Sequence, residues 1–284
     1  MKGQAGSFHL FNELSEHITL RIGSCHSLYH DSRWREVKEH SDYDLWIVEE
    51  GTVTLRMGDV NGTAKAGDLI LFYPNVPYTA SNGEEGCRFI YVHFDFGIGD
   101  RSRILDNFPL SGIVAGSSVQ EEAALFRQAF ERYSNRSVLS SVRLKGCLTV
   151  LLAKIIENAA ESEAAAASGE PADTPPKARA SRQMDILQPV FRFVHEQLHR
   201  PIAVRELAEK AGMSEKYFIT FFKQTVGVTP GYYLYQVRMN RARDYLYRRS
   251  YTIKQIAELL GYPDPYTFSK AFKKYYNKPP SQFV

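Results

Sequence analysis

The sequence predicts two domains, an all-β barrel with appended helices in the N-terminal half and an all-α domain in the last third. Three observations predict this organisation. Residues 8–96 alternate short apolar runs with turn-forming residues, residues 158–182 are mostly small and polar, and a helical pattern that begins at residue 207 recurs from residue 256. A chain of 284 residues is long enough for two hydrophobic cores. We expect segments at 1–115, 116–160, 161–182 and 183–284.

The segment 1–115 has the pattern of short strands. Its apolar runs read LWIV, TVTLRM, LILFY and CRFIYVHFDF. Turn-forming residues stand between them, among them Glu50-Gly51, Asn61-Gly62 and Asn82-Gly83. Because no helical pattern intervenes, these strands favour a sandwich or a small barrel.

The segment 116–160 is predicted to be helical over 119–133 and 140–157. The second helix carries an apolar stripe that includes Val142, Leu148 and Ile155. Such a stripe can pack within its own domain or against a second copy of the chain, and the sequence leaves both open. We interpret the segment as a helical appendage that serves in dimerisation.

The segment 161–182 is predicted to be a flexible linker. It is low in complexity and lacks bulky apolar side chains. A segment of this composition cannot bury enough surface to offset the entropy of ordering it. A short helix over Ala164–Ala167 is compatible with this interpretation.

The most informative feature is an internal repeat. The segment LAEKAGMSEKYFITFFKQ, at 207–224, recurs in outline as IAELLGYPDPYTFSKAFKK, at 256–274. In each copy a short amphipathic pattern ends at a glycine, Gly212 or Gly261. Glycine adopts the left-handed backbone that terminates a helix at little cost.

A second helix follows each glycine. Ser214 and Asp264 are predicted to cap it, and Pro265 suits the first helical position, where no N–H is needed. Each copy therefore predicts a helix-turn-helix, over 202–226 and 253–276.

Charge separates the two ends of the chain. Residues 1–182 hold 19 Lys and Arg against 24 Asp and Glu, whereas residues 183–284 hold 16 against 8. A basic domain on an acidic body indicates an anionic polymer as partner of the basic part. Since a helix-turn-helix places its second helix in the major groove, we predict that this polymer is double-stranded DNA.

The predicted DNA contacts are the exposed positions of the second helix in each copy. They are Lys216, Ile219, Thr220, Lys223, Tyr266, Ser269, Lys270 and Lys273. Lysine and hydroxyl side chains can bond to bases or phosphates, and an exposed isoleucine can meet a thymine methyl group. The alternative is a plain helical bundle whose charged face is merely solvated.

Other functional classes have little support in the sequence. Cys25, Cys87 and Cys147 form no CxxC pair, the start of the chain has no apolar signal region, and no apolar run is long enough to span a bilayer. We therefore expect a cytoplasmic protein. The signatures HExxH, GxSxG and GxxxxGK[ST] are missing, so we expect no catalytic residues and no cofactor. Catalysis in the barrel is a weak alternative.

The repeat resembles the DNA-binding domain of AraC/XylS-type bacterial transcription regulators. The resemblance rests on a long spaced pattern: Met213-Ser214, Tyr217-Phe218, Phe222-Lys223, Pro230, Ala257, Gly261-Tyr262, Asp264, Phe268, Phe272-Lys273 and Pro279. Asn277 stands where glycine is common, and both can take a left-handed backbone. The resemblance implies that one chain inserts two helices into successive major-groove segments and acts more often as an activator. We also expect contact with RNA polymerase and a homodimer.

The N-terminal part resembles the cupin-like effector domain of the same family. The resemblance rests on Gly51, on Ala66-Gly67-Asp68-Leu69, and on Pro74 through Tyr78. It implies a small-molecule effector, for which related regulators suggest a sugar. The predicted contacts in the mouth of the barrel are Trp46, Tyr78, Tyr91 and His93.

Two alternatives to this effector site stay open. These aromatic side chains can simply fill the barrel, and the regulator can respond to a protein partner rather than to a small molecule. We expect no cupin-type metal site, because His40-Ser41-Asp42 breaks the HxH pair and Tyr78 stands where a histidine ligand is common.

Overall fold

The computed structural model of the chain describes residues 9–99, 101, 103–167 and 181–283. The chain divides into two compact units. The sheet unit comprises Thr19–Gly97 and Ser102–Ser181, and the helical unit comprises Arg182–Val284 together with Met1–Ile18 and Ile98–Arg101. Residues 9–18, which we predicted to be part of the β-rich domain, are therefore grouped with the C-terminal third.

The described residues form seven strands. They are β1 (Ile18–His30), β2 (Arg35–Lys38), β3 (Tyr43–Met57), β4 (Val60–Lys65), β5 (Leu69–Phe72), β6 (Tyr78–Ile98) and β7 (Gly112–Val114). The order across the sheet is β1-β6-β3-β5-β7, while β2 pairs with β6 and β4 pairs with β3. The prediction of a sheet-rich N-terminal domain is confirmed.

Two of the predicted turns are wrong, because they lie inside the long strands β3 and β6. They pair as an antiparallel ribbon with breaks in register on either side of Glu50-Gly51, which lies inside β3. Asn82-Gly83 lies inside β6. Glycine and asparagine mark irregularities within a bent strand as well as reversals of the chain, so local sequence does not separate the two cases.

An aromatic cluster fills the interior of the sheet unit. Trp46 stacks on Phe89 with ring centroids 4.2 Å apart, and Phe72 lies between Trp46 and Tyr78 at 4.6 and 4.4 Å. Residues 43–48 of β3 are all buried, so this part of the strand is covered on both faces. The uninterrupted apolar run LWIV is the sequence signature of that double burial.

Two helices follow the sheet, α2 (Gln120–Ser134) and α3 (Ser140–Ala167), and they pack against each other. Leu148 and Ile155 of the apolar stripe are buried, whereas Val142 at its start is 67% exposed. Most of the stripe therefore packs within the unit. Because α3 runs to Ala167, the first residues of the predicted linker are helical, and residues 168–180 lie outside the described residues.

The helical unit confirms the predicted all-α domain. Its helices within the described residues are α1 (His9–Glu13), α4 (Ser181–Gln197), α5 (Val204–Lys210), α6 (Glu215–Val226), α7 (Pro230–Arg248), α8 (Ile253–Leu259) and α9 (Pro265–Tyr276). The pairs α5–α6 and α8–α9 are the two predicted helix-turn-helix units. We call them the first pair and the second pair.

Helix α7 takes part in the cores of both pairs. Near its start, Tyr233 lies 5.4 Å from Phe191 of α4 and 5.7 Å from Phe222 of α6, measured between ring centroids. Farther along, Met239 is buried in the cluster that contains Phe268 of α9. A single helix with both attachments holds the two pairs in a fixed relation.

The N-terminal segment packs onto α7 within the helical unit. Leu10 and Leu14 are buried, and the Asn240 side-chain amide donates to the backbone oxygen of Glu13 at 2.9 Å. Five residues of helix are too few to give a periodic signal, which explains why the sequence did not predict α1. No helix in the described part of the chain is long and apolar enough to cross a membrane.

Candidate nucleic-acid interface and ligand site

The two helical pairs make the same turn with the same hydrogen bonds. In the first pair, Met213 N donates to Ala208 O at 2.9 Å and Gly212 has a φ of 67°. In the second pair, Tyr262 N donates to Ala257 O at 2.9 Å and Gly261 has a φ of 68°. The repeat in sequence is thus a repeat in backbone geometry.

Helix α6 separates a buried aromatic face from an exposed polar one. Phe218 and Phe222 are fully buried. The predicted contact residues lie on the other side, where Lys216, Thr220 and Lys223 are exposed and Ile219 is 38% exposed. The structure therefore brings all four together on one accessible face of the helix.

Helix α9 repeats this division. Phe268 and Phe272 are buried, and the opposite side presents the predicted contacts. Tyr266 is 78% exposed, Lys270 and Lys273 are exposed, and Ser269 is half-buried. An exposed tyrosine near the start of a groove-binding helix stands where base edges are contacted.

One exposed aromatic was missing from the predicted contacts. Tyr217, in the first turn of α6, is 60% exposed, and its ring stacks 6.1 Å from that of Phe221. A tyrosine beside a buried phenylalanine looks like core in the sequence, so only the direction of its side chain reveals it. Its position makes it a further candidate for contact with a nucleic acid.

The two predicted helix caps differ. The Asp264 carboxylate accepts from Thr267 N at 2.7 Å and from the Thr267 hydroxyl at 2.8 Å. These hydrogen bonds favour the charged form and lower the pKa of Asp264. Ser214 has the extended backbone of a cap, but its side chain makes no capping hydrogen bond within the described residues. The prediction of a Ser214 side-chain cap is wrong.

Arginines of α7 divide between structural and exposed roles. Arg238 is half-buried over the ring of Tyr262 at 5.7 Å and donates to the Arg200 backbone oxygen at 2.9 Å. Burial lowers the pKa of its guanidinium. Arg248 and Arg249 are exposed at the end of the helix. The exposed positive charge of the helical unit therefore includes the lysines of α6 and α9 and the end of α7.

The predicted effector residues occupy two environments in the sheet unit. Trp46 and Tyr78 are 3% and 2% exposed and form part of the aromatic core. Tyr91 and His93 are half-buried, with ring centroids 5.4 Å apart. The effector site stays a prediction, and only the second two side chains are reachable from solvent.

A polar group that we did not predict surrounds His93. Its Nδ1 lies 2.9 Å from Asp42 Oδ1, and His40 Nε2 lies 2.9 Å from the Tyr78 hydroxyl. Asp44 accepts from Trp46 Nε1 at 2.6 Å. His40 and Asp42 lie just before β3, and Asp44 lies in its first residues, so the three polar side chains are close in sequence.

Burial controls protonation in this group. It lowers the pKa of His40 to about 4, and the nearby His93 adds to the shift, so His40 is neutral at neutral pH. Burial raises the pKa of Asp44 to about 7, against the opposing effects of His93 and the Trp46 hydrogen bond.

Comparison with known proteins identifies both domains. Residues 22–152 match the family described as AraC-like ligand binding domain, and residues 207–284 match a family described as helix-turn-helix domain. These matches and the relatives are transcription regulators rather than enzymes, which confirms the expectation of a non-enzyme.

Three relatives illustrate the similarity. The Msm operon regulatory protein of Streptococcus mutans is 33% identical over 94 residues, which cover 33% of this chain and 34% of that protein. The raffinose operon regulatory protein RafR of Pediococcus pentosaceus is 25% identical over 85% of this chain and 84% of its own length. The lactose operon transcription activator of Staphylococcus xylosus is 30% identical over 36% of this chain and 38% of its own.

The share of each relative that is matched limits what the similarity implies for this chain. The chain spans about a third of the Msm protein, whereas its similarity to RafR extends over both units. Together with the repeated turn geometry and the two family matches, the similarity confirms the predicted resemblance. The chain combines an AraC-like ligand-binding domain with a C-terminal helix-turn-helix domain of the type found in AraC-type regulators.

Proposed function

We propose that α6 and α9 each enter the major groove of double-stranded DNA and read its sequence. The observation that carries the proposal is the repeated geometry: two helices preceded by the same turn, each with its aromatic face buried and its polar face exposed. The proposed contacts are Lys216, Ile219, Thr220, Lys223, Tyr266, Ser269, Lys270 and Lys273.

The position of each residue along its helix supports a division of roles. Lys216 and Tyr266 lie in the first turns, where a groove-binding helix meets base edges. Lys223 and Lys273 lie about two turns farther along, where phosphates are the nearer partners. Ile219 offers an apolar surface to a thymine methyl group.

The attachment of both pairs to α7 supports binding to two groove segments on one side of the duplex. Such segments are separated by about 34 Å, or one helical turn. A chain whose two pairs were free to move independently would lose affinity through the entropy of ordering them.

The test uses the full chain. Bound duplexes are enriched from a random pool, and affinity for the selected site is measured by fluorescence anisotropy across a salt series. We expect affinity to fall linearly on a log–log plot against salt and to exceed that for scrambled duplex by about 10³-fold or more. Equal affinity for every sequence would show that the protein binds DNA only through non-specific electrostatic contacts.

We propose further that the sheet unit binds a small polyhydroxylated molecule, a sugar, and that binding changes occupancy at the promoter. Two relatives are named for raffinose and lactose operons, which supports this class of ligand. Tyr91 and His93 are the accessible members of the proposed site, with Trp46 and Tyr78 behind them. Aromatic rings stack on sugar C–H groups, while imidazole bonds to hydroxyls.

A panel of mono-, di- and trisaccharides tests the effector. A bound sugar must raise the melting temperature of the native state, and Tyr91→Ala must abolish the rise. Tyr29→Ala, at an exposed position of the same unit where the ring packs against Arg88, is the matched control. If no sugar stabilises the protein, the alternative of a regulator controlled by a protein partner takes precedence.

We also propose that the chain forms a dimer, contacts RNA polymerase and activates transcription. Val138, Leu139 and Val142 are 92%, 72% and 67% exposed around the start of α3, which supports a second copy of the chain as partner of this face. Val142→Asp should shift the mass measured by light scattering from dimer to monomer. A transcription assay with the selected site upstream of a promoter decides between activation and repression.

A further inference from the structure

Three side chains in the sheet unit place possible metal-ligand atoms close together. His40, Asp44 and His93 each offer one atom, and these atoms all lie within 4.8 Å of one another. His40 Nε2 is 3.3 Å and His93 Nε2 is 3.7 Å from the same oxygen, Asp44 Oδ2. Ligands 2.0–2.2 Å from a tetrahedral ion are separated by about 3.4 Å. The two measured separations bracket this value.

The Asp44 carboxylate is incompletely satisfied in its buried position, and a bound cation would stabilise it. Asp44 is 1% exposed, and its Oδ1 has no hydrogen-bond partner among the described residues. Its Oδ2 accepts from Trp46 Nε1, which fixes the orientation of the carboxylate. A buried carboxylate with an unsatisfied oxygen costs free energy, and a cation bound at Oδ2, the oxygen nearest to both histidines, would offset part of that cost by neutralising the charge.

His93 has the orientation of a metal ligand. Its Nδ1 lies 2.9 Å from Asp42 Oδ1, so the hydrogen bond to the carboxylate favours the tautomer with the proton on Nδ1. The lone pair of Nε2 is then free on the side that approaches Asp44. Histidines that bind metals almost always donate their other ring N–H to a carboxylate, a carbonyl or water.

From this geometry we propose that His40, Asp44 and His93 bind one divalent transition-metal ion. Two imidazoles and one carboxylate suit zinc, iron, copper or nickel, whereas magnesium and calcium prefer oxygen ligands alone. The side chains of His40 and His93 are 13% and 22% exposed, which gives the ion a path from solvent. The ligand set differs from a cupin-type HxH site, because its second histidine comes from β6.

Binding needs one rearrangement. His40 Nε2 now lies 2.9 Å from the Tyr78 hydroxyl, which itself donates to Glu36 at 2.7 Å. Because the Tyr78 hydroxyl donates to Glu36, His40 Nε2 is the donor in this contact, and binding of the ion requires the tautomer with the proton on Nδ1. Two positive side chains near the cluster already have partners: Lys38 is paired with Glu36 at 2.7 Å, and Arg103 donates to the Ser41 backbone oxygen.

The experiment measures Zn²⁺ binding by calorimetry and Co²⁺ binding by absorption, using the full chain freed of metal. We expect one ion per chain and Co²⁺ ligand-field bands of a four- or five-coordinate site. His93→Gln and His40→Gln should each abolish the bands. Asp42→Asn should weaken Zn²⁺ binding about 10- to 100-fold, since it changes only the partner of a ligand. His26→Gln, an exposed histidine of the same unit, should change nothing.

Each outcome is decisive. Binding that is lost equally in His26→Gln, or that survives both ligand substitutions, assigns the ion to the surface and overturns the proposal, as does the absence of saturable binding. Because the side chain of Asp42 is more exposed than that of His93, Asp42→Asn still tests the site if a ligand variant unfolds. DNA affinity measured on the same metal-free protein separates failure of this site from failure of the proposed function.

Discussion

The two helical pairs adopt one geometry through different stabilising interactions. The second pair is defined by local hydrogen bonds: Thr252 and Gln255 bond reciprocally at the start of α8, and Asp264 caps α9. The first pair keeps only half of this arrangement: the Glu206 carboxylate accepts from Ala203 N at 2.9 Å, but Ala203 has no side-chain acceptor and Ser214 makes no capping hydrogen bond. It buries more of its second helix instead, since Phe218, Phe221, Phe222, Thr225 and Val226 are all buried in α6, against Phe268 and Phe272 in α9.

This difference shows that two copies of a duplicated sequence can share the same turn while the caps at their helix termini diverge. A tertiary core replaces a cap in the first pair, and local capping replaces core in the second. The first pair should therefore be sensitive to changes in packing, and the second to changes in hydrogen bonding. Substitutions in both pairs can break or sharpen that contrast, from the largest expected effect to the smallest.

Truncation of the shared core should have the largest effect. Phe222→Ala removes a fully buried ring that packs with Phe191, Phe218 and Tyr233, and should lower the free energy of unfolding by about 3–5 kcal/mol. Denaturation followed by circular dichroism at the helix band measures the loss. Both tryptophans of the chain, Trp34 and Trp46, lie in the sheet unit, so their fluorescence reports on that unit as an internal control. An unchanged helical transition would show that Phe222 is not core.

The turn glycines should respond unequally although their φ values agree. A Cβ on Gly261 would lie 2.4 Å from the backbone carbon of Arg200, whereas a Cβ on Gly212 would meet nothing within 4 Å. Gly212→Ala should cost about 1–2 kcal/mol for its left-handed backbone alone. Gly261→Ala should cost about 1–3 kcal/mol more, because the neighbouring backbone must move. Equal melting temperatures for the two variants would contradict this difference.

Substitution of the lysines near the start of α6 and α9 compares the contributions of the two pairs to DNA binding. Lys216→Ala and Lys270→Ala should each weaken binding to the selected site by about 1–3 kcal/mol if the lysine contacts a base. Lys65→Ala, at an exposed position of the sheet unit, is the charge-matched control. Equal losses on specific and scrambled duplex would make the lysine a phosphate contact.

Substitution of the cap residues should give the smallest losses of stability and the most direct comparison of the two pairs. Thr252→Ala removes the reciprocal bond with Gln255 and should cost about 1 kcal/mol. Ser214→Ala removes no observed capping bond and should change stability by less than about 0.5 kcal/mol. Thermal unfolding of the two variants beside the wild type decides the point. A larger loss for Ser214→Ala would reverse the proposed difference between the pairs.

Acid should weaken the second pair through its cap. The hydrogen bonds from Thr267 hold the pKa of Asp264 below its ordinary value of 3.8, so the carboxylate stabilises the folded state above that value. This stability is lost as pH falls through the lowered pKa of the folded state. Asp264→Asn keeps a capping oxygen but does not titrate, so its melting temperature should fall less steeply with acid. Identical slopes would assign the acid sensitivity to other groups.

The sequence predicted the helical unit better than the sheet because its signals are local. Gly212 and Gly261 end helices, Pro265 follows a cap, and the phenylalanine stripes repeat at helical spacing, all within a few residues. The hairpin between β3 and β4 shows the opposite case. Asn61-Gly62 was predicted to be a turn, but the chain reverses at Gly58-Asp59 and pairs Arg56 with Asn61. Register is set by burial across strands rather than by turn residues alone.

The contents of the ligand site were predictable only in part. Trp46, Tyr78, Tyr91 and His93 do share one region, but two of them are core. The approach of His40 to His93 depends on the pairing of β3 with β6 across some fifty residues of chain. No local pattern encodes such a contact. The exposed faces of α6 and α9, in contrast, follow directly from helical periodicity.

The most direct test of the central claim is a map of base-pair sensitivity across the selected site. Every base pair is substituted in turn, and the affinity of the wild type, Lys216→Ala and Lys270→Ala is measured for each duplex. Readout by two helical pairs predicts two clusters of sensitive base pairs about one helical turn apart, with sensitivity relaxed in one cluster by the first variant and in the other by the second. A single cluster, or the same cluster relaxed by both variants, would contradict a regulator that reads DNA with two helical pairs.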